Sequence, residues 1–149
     1  MFRYSTELKL RDTDAAGVAF FAAYYSIAHD AYETFLNVNN AALHTWLDQV
    51  HLPIVHSEAD YTAPLKLGAH FDVLLSCIKL GERSFSLHYD FVNESSSLAQ
   101  VKTIHVAVNH NRADESVNSV SLPDQLRTLL STKLLDPKSL MTKSQVHQE

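Results

Sequence analysis

The stretch Asp12-Thr-Asp14-Ala-Ala-Gly17-Val-Ala-Phe-Phe21-Ala-Ala-Tyr-Tyr25-Ser-Ile-Ala-His29-Asp-Ala-Tyr-Glu33 couples an acidic turn to an amphipathic helix. From Phe21 onward, Phe21, Tyr24, Tyr25, Ala28, Tyr32, Phe35 and Leu36 recur at three- and four-residue steps. At roughly 100° per residue they gather on one face, which predicts a helix over 20–38 with a core side. Asn39 and Asn40 follow, and asparagine favours turns over helix interiors. Upstream, two carboxylates within three residues precede small residues and Gly17, a composition that lets backbone approach a ligand closely.

Outward from this stretch the chain reads as strands. Residues 2–11 alternate loosely, with Phe2, Tyr4, Thr6, Leu8 and Leu10 on one side, as in a strand with one wet face. After the helix, residues 41–50 form a second short helical piece carrying Leu43, Trp46, Leu47 and Val50. Strands are expected over 52–62 and 70–80, with the turn 63–68 between them. Phe85, Leu87, Tyr89 and Phe91 alternate with Ser84, Ser86, His88 and Asp90, which marks one core face. The last strand covers 99–109, with Ile104, Val106 and Val108 on one side. Short connections predict antiparallel meander order. Periodicity fades after His110, and a short helix opens at Leu122-Pro123, proline being permitted in a first turn. Residues 1–135 read as one domain, a sheet of about five strands wrapped on one long helix, and 136–149 as a polar, frayed tail.

Composition narrows the function classes. A chain of 149 residues buries roughly 68–70% of its unfolded surface as a single domain. A formal charge of −5, with 12 basic against 17 acidic residues, argues against a phosphate-backbone partner. No apolar run approaches the ~18 residues of a membrane span, and no signal-peptide pattern opens the chain. A non-secreted, cytoplasmic protein is expected. The one cysteine, Cys77, lies in an apolar run and fits a small core residue in a reducing compartment.

Asp14 is the leading candidate for chemistry. It stands six residues before the helical pattern, whereas a cap bonds amides two or three positions ahead. A solvated turn carboxylate and a functional one both remain open. Asp12 fits a turn carboxylate bonding its own backbone two residues on. Amides from Val18 to Ala22 lack intrahelical partners at a positive dipole end, where a carbonyl oxygen gaining charge would be stabilised. His29 sits at the edge of the apolar stripe, either as a half-buried histidine bonded to backbone or as a ligand contact. His29 and Glu33 lie one turn apart, but two ligands without a third make a weak metal site, and no metal is expected. Arg83 and Ser84 follow the turn at Gly81, where a guanidinium and amides can hold phosphate. Tyr24, Tyr25, Tyr32 and Trp46 are either core or the lining of an aromatic pocket.

The run Asp12-Thr-Asp14-Ala-Ala-Gly17-Val with its aromatic pair, then Leu52-Pro-Ile-Val55, Glu58-Ala-Asp-Tyr61 and Pro64-Leu-Lys-Leu-Gly68, resembles hotdog-fold acyl-CoA thioesterases of the 4-hydroxybenzoyl-CoA thioesterase type. The resemblance spans residues 8–109. It implies an α+β hotdog fold, a homodimer or homotetramer, an acyl-CoA substrate and no cofactor beyond that coenzyme A. It implies Asp14 as nucleophile or general base and the Phe21 amide, with Gly17 in the loop, as oxyanion site. Tyr25, His29 and Glu33 become substrate contacts, and Arg83 and Ser84 contacts to coenzyme A. Where the hydroxybenzoyl enzyme keeps an aspartate, this chain has His29. The run from His29 to Glu33 is instead similar to 1,4-dihydroxy-2-naphthoyl-CoA thioesterases. Gly68-Ala-His departs from the acidic residue that many relatives carry after the glycine. A hotdog protein that binds acyl-CoA or acyl-carrier protein without hydrolysis is the alternative. A hotdog dehydratase ranks below both, because its histidine–carboxylate pattern differs from the Asp14 motif.

Overall fold

The computed structural model describes residues 1–45, 50–94, 96–111 and 115–138. Among these, a five-stranded sheet is built from β1 (Phe2–Glu7), β2 (Ile54–Tyr61), β3 (His70–Leu80), β4 (Ser84–Asn93) and β5 (Ser96–Val106), in the order β1-β3-β4-β5-β2. Every neighbouring pair is antiparallel. The sheet curls around α1 (Ala23–Val38), the hotdog arrangement that the sequence implied. The meander order holds for β3, β4 and β5 only. β2 lies at the far edge against β5, not beside β3. The eight residues between Tyr61 and His70 can bridge that gap. Three strand spacings are about 14 Å, and eight extended residues reach about 26 Å.

Burial on α1 follows Ala23, Tyr24, Ile27, Ala28, Ala31, Tyr32, Phe35 and Leu36. Phe21, placed in this stripe by spacing, is 61% exposed, and Tyr25 is half-buried. The helix starts three residues later than the spacing suggested, so Phe21 precedes the helical phase. Asn40 ends it in the left-handed region at φ 56°, and the Asn39 side chain donates to the Phe35 carbonyl at 2.8 Å.

On β4 the alternation reads correctly, with Phe85, Leu87, Tyr89 and Phe91 all buried. On β5 the side shared by Ile104 and Val106 is the outer face, whereas Ala99, Val101, Thr103 and His105 point inward. Cross-strand pairing explains this. Phe85 lies opposite His105, Leu87 opposite Thr103, Tyr89 opposite Val101 and Phe91 opposite Ala99. Directly opposed residues share a face, so the bulky row on β4 is matched by small or polar residues on β5.

Three further expectations change. The first strand stops at Glu7 and gives way to a 3-10 turn at Leu10–Asp12. Of the second helical piece only the 3-10 turn Leu43–Thr45 is observed, and Trp46 and Leu47 lie outside the described residues. The segment after β5 is ordered, as the hairpin β6 (Val108–Asn111) and β7 (Ser116–Ser119). Four-residue strands are too short to show a period in sequence. The chain then enters α2 (Asp124–Leu129), capped by Pro123, and the π-helical turn Leu130–Leu134. Leu122, Leu126, Leu130 and Leu134, spaced by four, are all buried in the common core. An α-helix would rotate such a row about 40° per step, and the wider π turn reduces that drift. Cys77 is fully buried and burial pushes its thiol up to about 11, an unreactive core position. Asp136 still bonds the sheet through Cys77, and 139–149 lie outside the described residues.

Candidate active site

Residues 12–20 fold into a tight hairpin ahead of α1. The Asp12 carbonyl accepts from the Phe20 amide at 2.9 Å, Asp14 N–H donates to the Val18 carbonyl at 2.9 Å, and Gly17 N–H donates to the Asp14 carbonyl at 3.0 Å. Gly17 has φ +73°, a region that β-carbon-bearing residues enter at a cost, and this explains a glycine there. The hairpin is pinned to the β2–β3 connection, since Ala19 N–H donates to the Leu65 carbonyl at 2.7 Å and Leu67 N–H to the Gly17 carbonyl at 3.0 Å. The loop is therefore held on both sides.

Asp14 is exposed, and its Oδ1 accepts from the amides of Ala16 at 2.8 Å and Val18 at 3.5 Å. This two-residue side-chain turn, expected at Asp12, belongs to Asp14. The Asp12 side chain instead lies 3.8 Å from Arg11. Oδ2 of Asp14 has no hydrogen bond among the described residues, so the carboxylate is oriented through one oxygen and open through the other. It does not cap α1, whose N-cap is Ala22 with no side-chain bond.

Of the amides expected to be free, Val18, Ala19 and Phe20 are taken by Asp14, Leu65 and Asp12. Phe21 and Ala22 keep N–H groups with no partner among the described residues. A cavity of about 300 Å³ lies beside Phe21, with Val18, Ala19, Tyr24, Tyr61 and Pro64 also in its wall. Tyr61 was quoted in the sequence without a role. Its hydroxyl donates to the Phe21 carbonyl at 3.1 Å. Burial raises the Tyr24 hydroxyl's pKa, as does neighbouring Tyr61, so both phenols stay protonated at neutral pH.

The structure places Asp14 and Gly17 in the hairpin and the Phe21 amide directly after its closing bond from Phe20 to Asp12. His29 and Glu33 are exposed, about 12 Å and 18 Å along α1 from Phe21 at the helical rise. Among the described residues His29 has no hydrogen bond to backbone, and its ring lies 6.1 Å from that of Tyr32. Tyr25, His29 and Glu33, at four-residue steps, form one wet stripe beside the core stripe. Arg83 and Ser84 are at the opposite end of the sheet. Tyr24 touches Phe91, seven residues or about 23 Å along β4 from Ser84. Arg83 Nη1 donates to Ser119 Oγ at 3.2 Å. Among the described residues no three His, Cys, Asp or Glu side chains converge as metal ligands, and no helix is long and apolar enough to cross a membrane.

A buried polar cluster under α1 had no sequence signal except the alternation that places it. His105 is 1% exposed, shares a 2.9 Å hydrogen bond between Nε2 and Thr103 Oγ1, and stacks on Phe85 at 4.7 Å and 6°. Burial, the main cause, lowers its pKa to about 4, and the charge of nearby His29 acts the same way. Burial raises the phenol pKa values of Tyr32, whose ring lies 5.3 Å from that of His105, and of Tyr89, where Thr103 acts in the opposite direction, and the buried Tyr32 hydroxyl has no hydrogen-bond partner among the described residues.

A curled antiparallel sheet around one helix, with a carboxylate hairpin feeding free amides at the helix start, defines a hotdog-type protein with the parts for acyl chemistry. A family model described as the thioesterase-like superfamily matches residues 8–130. The 1,4-dihydroxy-2-naphthoyl-CoA hydrolase of Crocosphaera subtropica is 35% identical over 130 residues, covering 84% of this chain and 95% of its own. The hydrolase of that name from Picosynechococcus is 35% identical over 147 residues, covering 92% and 98%. The crystal structure of a 1,4-dihydroxy-2-naphthoyl-CoA thioesterase from Synechocystis matches with a TM-score of 0.80 at 27% identity, covering 89% of this chain and 96% of its own. A gentisyl-coenzyme A thioesterase matches at 0.74 and 25%, covering 87% and 99%. The chain belongs to the thioesterase-like superfamily.

Proposed function

We propose that this protein hydrolyses an aromatic acyl-CoA thioester, with 1,4-dihydroxy-2-naphthoyl-CoA as the first substrate to test. The observation that carries the reading is the open Oδ2 of Asp14, in the hairpin that leads directly into the amides of Phe21 and Ala22, which have no partner among the described residues. The amides polarise the thioester carbonyl and receive the oxyanion. Asp14 either attacks the carbonyl carbon or takes a proton from the water that does. Collapse of the tetrahedral intermediate breaks the C–S bond and releases coenzyme A thiolate, leaving the free carboxylic acid where water attacked and a mixed anhydride with Asp14 where the carboxylate did. Where Asp14 is the nucleophile, water then cleaves the anhydride. Gly17 serves by its backbone, setting the turn that aims Asp14.

Tyr25, His29 and Glu33 are assigned to the acyl group as an exposed stripe on α1, and His29 as the residue that distinguishes acyl classes. Arg83 and Ser84 suit the phosphate end of coenzyme A, because about 23 Å separates them from the helix start. β2 is an edge strand exposed along nearly its whole length, including Ile54 and Val55, and pairing with β2 of a second copy would satisfy that edge in a homodimer. Homotetramer formation and a cytoplasmic location complete the proposal.

Asp14→Asn keeps shape and removes charge. Thiol release from naphthoyl-, benzoyl- and fatty acyl-CoA should fall at least ~10²-fold for the preferred thioester. Near-normal release would sink the mechanism. Tight binding by the unaltered protein with no thiol release from any of the panel would favour the acyl-CoA or acyl-carrier-protein binding reading.

A further inference from the structure

Tyr61 ends the edge strand β2, forty residues in sequence from the carbonyl of Phe21 that it bonds. That carbonyl would, in a regular helix start, accept from the Tyr25 amide. Tyr25 N–H instead bonds the Ala22 carbonyl at 3.2 Å, and the Tyr61 hydroxyl is the donor that Phe21 receives. The Tyr61 ring is itself fixed, lying 5.1 Å from Tyr24, which is 3% exposed and meets Phe91 edge-on at 5.2 Å.

The Phe21 carbonyl and the Ala22 N–H belong to one planar trans peptide and point in opposite directions, so fixing one fixes the other. The preceding peptide is fixed by another bond, since Ala23 N–H donates to the Phe20 carbonyl at 2.8 Å and so sets the Phe21 N–H. Two adjacent free amides are thus oriented through their own carbonyl partners, one by the helix and one by Tyr61. We infer that Tyr61 is a positioning residue for the oxyanion site, its hydroxyl holding the Phe21–Ala22 peptide so that the Ala22 N–H acts beside the Phe21 N–H. This inference rests on the proposed role of those amides.

Tyr61→Phe keeps the ring and its contact with Tyr24 and removes only the hydroxyl. Loss of an oxyanion donor costs about 10²- to 10³-fold in kcat, and loosening one of two should cost about 10-fold, with KM changed by less than about twofold. The second readout needs no turnover. A ketone analogue of benzoyl-CoA, with methylene in place of sulfur and a ¹³C carbonyl, is bound to the unaltered protein and to Tyr61→Phe. Isotope-edited infrared difference spectra should show the bound carbonyl stretch at higher frequency in the variant, because polarisation is weaker. A merely structural tyrosine would leave the stretch unmoved. Wild-type kcat, or a lowered kcat with an unmoved stretch, overturns the inference. The Asp14 reading fails separately, through turnover by Asp14→Asn, since polarising a bound ketone requires no carboxylate.

Discussion

Acidification should weaken the fold through His105. In the native protein its pKa lies at about 4, against 6.5 for an ordinary histidine, because burial between Phe85 and Tyr32 disfavours the charged ring and nearby His29 adds to the effect, against a smaller opposing bond to the Leu52 carbonyl. The neutral ring is the native form. Stability is therefore fully present above pH 6.5 and falls as pH drops toward 4, where the unfolded chain binds a proton that the native one refuses. The difference of about 2.5 units corresponds to about 3.4 kcal/mol in full, of which about 2 kcal/mol is lost between about pH 7 and pH 5. Because the ring is 1% exposed, solvent screening takes little from this figure. The carboxyl pKa values of Asp72 and Glu58 are also lowered, but those groups titrate below this window. Urea unfolding followed by far-ultraviolet circular dichroism at several pH values measures the loss as a shifted midpoint at constant slope. His105→Gln retains a donor and an acceptor for Thr103 and the Leu52 carbonyl but has no proton to gain. It should start less stable by about 0.5–1.5 kcal/mol for the lost stacking and then show a flat profile over the same range. A variant that keeps the wild-type slope, or a wild type with no slope, refutes the assignment.

Gly17→Ala meets no atom within 4 Å but forces φ +73° on a residue with a β-carbon. It should cost about 1 kcal/mol, a melting shift of about 2–4 °C, together with a fall in kcat as the Asp14 turn relaxes. Equal kcat would remove Gly17 from the site. Arg83→Ala should raise KM for coenzyme A thioesters about 3- to 10-fold and leave it unchanged for a pantetheine thioester lacking the nucleotide phosphates. Equal effects on both substrates would sink the phosphate contact.

The fold was legible where one period ran long enough to be read. Phe85, Leu87, Tyr89 and Phe91 mark the inward face of β4, and Tyr24, Ala28, Tyr32, Phe35 and Leu36 that of α1. The neighbour of β2 was not legible, because an eight-residue connection reaches a distant strand as easily as an adjacent one, and only the β2–β5 register decides between them. His105 was missed for a related reason. Ile104 and Val106 are more apolar than Thr103 and His105, yet they lie opposite Ser86 and Ser84 on the outer face, while the bulky inner row of β4 lies opposite Thr103 and His105, so cross-strand register outweighs the hydrophobicity of single residues.

In the site the sequence resolved the parts but not their bonds. Two carboxylates two positions apart look equivalent on paper, and helix-start amides look equally free. The hairpin breaks both symmetries. Asp12 gives its carbonyl to Phe20 and Asp14 turns its Oδ1 onto the loop amides, which leaves one carboxylate oxygen open. Three of the five candidate amides are consumed by that folding, which leaves Phe21 and Ala22. The bond that orients Ala22 comes from Tyr61, a residue beyond the reach of any local pattern because it stands on the opposite edge of the sheet. The closing of the sheet around α1 is thus what carries β2 to the helix start, and the fold and the proposed oxyanion site depend on the same strand.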